Sequence, residues 1–129
     1  MIVVTGAAGF IGSCVVARLN ELGRFDLIVV DHYDGGHDPK KKNLAGKRYQ
    51  RYYDKAEFLK LVRRDQFDFD ISCIVHLGAC SSTTLQDAGY FQENNFEYSV
   101  HVAQWALKYN ARLIYASSAA TYGAGEHGY

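Results

Sequence analysis

The chain has 129 residues, 48% of them hydrophobic and 22% charged, and its Lys plus Arg count equals its Asp plus Glu count. That length suits one ordinary domain, and a formal net charge of zero removes the electrostatic case for a nucleic-acid or membrane-surface partner. No apolar run approaches the roughly 20 residues of a membrane span, no secretory leader is recognisable after Met1, and Cys14, Cys73 and Cys80 lack metal-ligand spacing. Such cysteines read as reduced thiols, so the expectation is a cytoplasmic protein without a metal centre.

Strand and helix signals then alternate. Residues 2–5 are a β-branched run that ends at Gly6. Over residues 10–22 apolar side chains recur at helical spacing (Ile11, Val15, Val16, Leu19, Leu22), and Gly23 stops the helix. Residues 26–31, DLIVVD, form a continuous apolar run closed by an acid, the pattern of a strand buried on both faces. A polar stretch over 32–51 follows, with three consecutive lysines and the only proline. It is long for a simple loop, and part of it is expected to be functional or ordered by a ligand. Residues 54–64 predict a short helix with Phe58, Leu59 and Val62 on one side, and 72–77 a third strand. Residues 90–109 predict a longer helix with Phe91, Val100, Ala103 and Leu107 inward, and 112–116 a fourth strand running into Ser117 and Ser118. This alternation predicts a doubly wound α/β parallel sheet of the Rossmann type, with ligands beyond the carboxyl ends of the strands.

The chemistry-bearing residues lie at those ends. Gly6, Gly9 and Gly12 sit between a strand and a helix. Gly6 turns the chain out of the strand, Gly9 admits a pyrophosphate to the backbone, and Gly12 lets the helix pack closely. The helix N-terminus adds unpaired amides and partial positive charge. Asp31 follows about twenty residues later at the end of the next strand, completing a dinucleotide fingerprint. A carboxylate there suits the two ribose hydroxyls of NAD. Lys40, Lys41 and Lys42, with Lys55, are able to neutralise the 2′-phosphate of NADP, so spacing leaves both cofactors open. Asn94 and Asn95 are unusual inside a helix and point to an inward hydrogen-bonding role for one of them. His76 reads as a structural histidine, Cys80 as a small buried side chain, and Trp105 as core or interface.

TGAAGFIG over 5–12, the Asp31-His32 pair, HLGACSSTT over 76–84 and YASSAATYG over 115–123 together resemble the extended short-chain dehydrogenase/reductases. The last two segments resemble in particular the ADP-glyceromanno-heptose 6-epimerase family. The resemblance implies inversion of one carbinol centre, from ADP-D-glycero-D-manno-heptose to the L-glycero form, in lipopolysaccharide precursor synthesis. Hydride would pass to tightly held NADP and return to the opposite face of the carbon. By matched motif, Phe10 and Ile11 fall at the pyrophosphate, Asp31 and His32 at the adenosine ribose, and Lys40 and Lys55 around the 2′-phosphate. Leu77, Gly78, Ala79, Cys80 and Ser81 would line the nicotinamide side, Asn94 would anchor the cofactor from the long helix, and Ser118 matches the catalytic hydroxyl. His32 stands where the family has asparagine, and Leu77 where it has glutamate.

The resemblance covers the first two-fifths of such an enzyme. It implies that residues 1–129 are a partial NAD(P)-binding Rossmann domain, without the later strands and substrate domain of an enzyme expected to be a homo-oligomer. No tyrosine here is followed by lysine four residues on, the pair whose ammonium lowers the phenol's pKa for general-base work. The chain alone is therefore expected to be an inactive fragment with an unpaired edge strand and exposed core surface. Two alternatives stand beside this reading. One is another nucleotide-sugar epimerase or dehydratase, the dehydratase disfavoured by neutral Ala119 and Ala120. The other is a non-catalytic NAD(P)-binding module.

Overall fold

The computed structural model describes residues 1–36, 38–80, 87–126 and 128. Five strands form one parallel sheet: β1 (Ile2–Thr5), β2 (Leu27–Asp31), β3 (Arg51–Asp54), β4 (Cys73–His76) and β5 (Arg112–Tyr115). Their order in the sheet is β3-β2-β1-β4-β5. The chain winds outward one way from β1 to β3, then restarts on the other side of β1. The gap between β1 and β4 is therefore the point at which consecutive crossovers diverge, and a crevice opens at its carboxyl end.

The central strands read as unbroken apolar runs because both faces are covered. Val3, Ile28, Val30 and Ile74 point to one face, where α2 (Lys55–Arg64) and α4 (Tyr98–Lys108) bring Phe58, Val62, Tyr98, Val102, Trp105 and Ala106 against them. Ile2, Val4, Leu27 and Val29 point to the other face. There they pack on Val16 of α1 (Phe10–Glu21), on Ala7 and Ala8, and on Leu44 of a 3₁₀ helix (Pro39–Leu44). In α2 the expected face holds: Phe58 and Val62 are buried and Leu59 packs against them.

Two expectations are corrected. The sheet has five strands rather than four, because Arg51–Asp54 pairs with Ile28, Val29, Val30 and Asp31 of β2. This segment is an edge strand whose RYYD sequence is half polar, so it carries no apolar run. Its tyrosines alternate, Tyr53 joining the α2–α4 core and Tyr52 the α1 core.

The long helix is not uniform. A short α3 (Ala88–Phe91) passes through a π-helical turn (Gln92–Glu97) before α4 begins. The wide turn resets the helical phase, so Tyr98, Val102, Trp105 and Ala106 face the core while Leu107 is 82% exposed. In the polar stretch that follows β2, contacts within the chain brace the described residues. Asp38 caps the 3₁₀ helix through Lys40 N and holds Asp34 N, Tyr33 stacks on Tyr52, and Asn20 bonds both the amide and the carbonyl of Arg48. Among the described residues, no helix is long and apolar enough to cross a membrane.

Candidate functional site

A cleft of about 610 Å³ opens at the carboxyl end of β1, between the crossover to α1 and the one that follows β4. Its floor is the glycine loop. Gly6 has φ +66, and a Cβ there would lie 2.9 Å from the backbone of Leu77 and Gly78. A Cβ on Gly12 would meet the Gly6 carbonyl oxygen at 2.1 Å. One glycine therefore lets two crossovers touch, and the other lets the helix close over the turn. Gly9 is the N-cap of α1 and offers no side-chain cap, so the first-turn amides remain free for an anion. Phe10 and Ile11 are 84% and 63% exposed and form the lip of the cleft.

Asp31 closes one end of the cleft. Its carboxylate accepts from Ala8 N at 2.7 Å and from His32 N at 2.8 Å, and it pairs with Lys40 Nζ at 3.3 Å. The acid thus braces the glycine loop and holds a lysine in the cleft. Lys40 Nζ also donates to the His32 carbonyl at 2.5 Å. Of the three consecutive lysines only Lys40 lines the cleft; Lys41 and Lys42 are exposed outside it, Lys41 lying over the Tyr33 ring. Asn43 of the same 3₁₀ helix donates to the Ala8 carbonyl at 2.8 Å, tying the lysine segment to the glycine loop. His32 lines the cleft and bonds Asp54 through Nδ1 at 3.0 Å. Burial raises the Asp54 carboxyl, but the bonds from His32 and from Ala56 N outweigh it and hold that acid below its ordinary range.

The far wall comes from β4 and the π turn. Leu77, Gly78, Ala79 and Cys80 line it, with Lys55, Tyr90 and Asn94 opposite. The π turn places the consecutive Asn94 and Asn95 on the same side, a common use of such turns at functional sites. Asn94 Oδ1 accepts from Lys55 Nζ at 2.6 Å, and Lys55 also donates to Tyr90 Oη at 3.0 Å. Asn95 takes Cys80 N at 2.8 Å and gives to Cys80 O at 3.0 Å. His76 is 2% exposed, and burial lowers its pKa to about 4, which keeps it neutral.

Gly6, Gly9, Phe10, Ile11, Gly12, Asp31, His32, Lys40, Lys55, Leu77, Gly78, Ala79, Cys80 and Asn94 all meet in this one cleft. Ser81 lies outside the described residues. Ser118 is not among the lining residues; it caps the 3₁₀ helix Ala119–Tyr122 through Ala120 N at 3.2 Å, two residues beyond Ala116, which does line the cleft. Sequence reasoning missed Thr5, Tyr90, Asn43 and Asp38. Only Thr5 carried a signal, as the hydroxyl directly before the first glycine.

The family model for the NAD dependent epimerase/dehydratase family matches residues 2–128. The chain belongs to that family. It is 44% identical over its whole length to the ADP-L-glycero-D-manno-heptose-6-epimerase of Nitratidesulfovibrio vulgaris, of which it covers 39%. It is 48% identical over 123 residues to the enzyme of the same name from Alkalilimnicola ehrlichii, covering 38% of that protein. Among solved structures, the Helicobacter pylori ADP-L-glycero-D-manno-heptose-6-epimerase superposes with a TM-score of 0.77 at 29% identity, over 95% of this chain and 40% of that one. A UDP-glucuronic acid 4-epimerase from Bacillus cereus, in complex with NAD, superposes with a TM-score of 0.72 at 26% identity, over 95% of this chain and 41% of that one. The chain thus spans about two-fifths of the length of these epimerases.

Proposed function

We propose that these residues are the NADP-binding part of an ADP-L-glycero-D-manno-heptose-6-epimerase, acting on an ADP-heptose in lipopolysaccharide precursor synthesis. The observation that carries the reading is the single cleft into which the glycine loop, Asp31, Lys40, Lys55 and residues 77–80 converge. The cradle fits a dinucleotide: Gly12 leaves no room for a side chain beside Gly6, and the α1 amides face the same opening. Lys40 and the Lys55–Asn94 pair favour NADP over NAD. Asp31, already bonded to two amides and a lysine, is drawn toward the loop, and the lysines offer positive charge to a 2′-phosphate.

When bound, NADP supplies the hydride acceptor and donor for inverting a carbinol carbon. The chain's own residues do the rest of what is proposed here. The amides of Phe10 and Ile11 hold the pyrophosphate, Asp31 and His32 orient the adenosine ribose, residues 77–80 shape the nicotinamide side, and Ser118 orients the reacting hydroxyl. Catalysis also needs a base near neutral pH, and no Tyr-x-x-x-Lys pair occurs among these residues. The 129-residue chain therefore binds NADP without converting an ADP-heptose. Titration calorimetry with NADP and NAD, beside an assay for L-glycero product, tests this. Saturable NADP binding that exceeds NAD binding, without product, is the expected result. Absence of saturable binding by folded chain, or clear turnover, overturns it.

A further inference from the structure

A closed hydrogen-bond circuit runs behind residues 77–80, through side chains to which no role has been given. Thr5 Oγ1 accepts from Gly78 N at 3.0 Å and from Leu77 N at 3.2 Å, the latter shared with the Thr5 carbonyl at 3.3 Å. A hydroxyl has two acceptor positions and one proton. With both positions taken, its proton goes to His76 Nδ1 at 2.6 Å. That assignment puts the ring proton on Nε2, which donates to Ser99 Oγ at 2.9 Å. Ser99 in turn donates to the Asn95 carbonyl at 2.6 Å, and the Asn95 side chain holds Cys80 at both its amide and its carbonyl. The stretch is thus clamped at its start by Thr5 and at its end by Asn95. His76 joins the two clamps.

We propose that His76 is a positioning residue for the nicotinamide-side wall: as a neutral Nε2–H imidazole it couples the Thr5 clamp to the Asn95 clamp, and so fixes the backbone of residues 77–80. The proposal rests on the dinucleotide reading for its functional consequence, though not for the coupling itself. The ring also stacks between Tyr98 of α4 and Tyr115 of β5, with centroids 5.8 and 5.9 Å away. Packing alone would be served equally by phenylalanine. Only the imidazole both accepts from Thr5 and donates to Ser99, and the circuit closes in one protonation state, since a second ring proton would set two donors against each other.

The test replaces the hydrogen bonds while keeping the stack. His76→Phe, Ser99→Ala and Thr5→Val are compared with Thr5→Ser, which restores the hydroxyl. Amide hydrogen exchange is followed by NMR in the chain without cofactor. Affinities are measured for NADP and for adenosine 2′,5′-bisphosphate, which occupies only the adenosine half. His76→Phe is expected to speed exchange at Gly78 and Cys80 about tenfold relative to Val75, the worth of one or two neutral hydrogen bonds. NADP binding should weaken by about the same factor while the bisphosphate is unaffected, and Thr5→Ser should behave as the parent.

Cys80 is the decisive amide, because it bonds Asn95 rather than His76, and loss of packing would not single it out. Should His76→Phe fail to fold, Ser99→Ala breaks the same circuit without touching the stack. Unchanged exchange at Cys80 in these variants, or equal weakening of NADP and the bisphosphate, overturns the proposal. If the parent chain binds neither nucleotide, the cofactor reading falls, and exchange at Cys80 still decides whether the coupling exists.

Discussion

At the scale of single residues, the site depends on groups whose surroundings leave them one useful state. His76 is the clearest. It is buried with its hydrogen bonds satisfied only as the neutral ring, and its pKa is lowered from 6.5 to about 4 by burial. Between those values the unfolded chain binds the proton more readily than the folded one. Stability is therefore fully present above pH 6.5 and is lost as the pH falls toward 4, to a total of about 3 kcal/mol. Urea unfolding at pH 7 and at pH 4.5 should show a lower midpoint at the acid end, and the difference should shrink in His76→Phe. Equal midpoints for the parent chain would contradict this. Asp38, Asp54 and Asp65 are each held below the ordinary carboxylate range by hydrogen bonds, so their contributions fade only at still lower pH.

At the scale of elements, the segment between β2 and β3 is the informative one. A long polar stretch ordinarily signals a functional loop, and here Asp38 braces it. Its two oxygens hold Lys40 N and Asp34 N, both at 2.8 Å, and the residue is 8% exposed. The turn it caps then presents Lys40 to the cleft and Asn43 to the glycine loop. Asp38→Ala should cost about 1–2 kcal/mol of stability, as loss of a helix N-cap does. It should also weaken NADP more than NAD by releasing Lys40. A thermal melt and paired titrations measure the two effects, and an unchanged NADP-to-NAD ratio would separate the cap from cofactor choice. The π turn makes a complementary point. Its extra width aligns Asn94 and Asn95 toward Lys55 and Cys80, and propensity alone marked the pair only as unusual.

At the scale of the molecule, the two faces of the sheet are unequally covered. On the α2–α4 side, apolar side chains from β1, β2 and β4 are buried. On the α1 side, the core lies over β1 and β2 with Cys73 and Val75 of β4 partly buried against it, and the β4–β5 register sets Ile114 beside Val75. Ile114 is 46% exposed and Tyr115, on the same edge strand, 58%. An exposed apolar side chain on an edge strand whose outer side pairs with no other described strand favours association. The 129-residue chain is expected to self-associate in sedimentation velocity at micromolar concentration, and Ile114→Glu to shift the distribution toward monomer. A monomeric profile for the parent would refute this.

Fold class was legible in the residues, because burial on both faces writes β1, β2 and β4 as apolar runs. Glycine is also the residue that fits where backbone meets backbone at Gly6 and Gly12. The edge strand β3 left no such mark: one of its flanks is solvent, and its stability comes from pairing with β2. Nor did the chain order disclose that Thr5, His76, Ser99 and Asn95 share one circuit, since residues 71 positions apart meet only once β1 and β4 pair. Local pattern records what each segment buries. Which polar groups satisfy one another depends on how the segments are stacked, and that information resides in the assembled sheet.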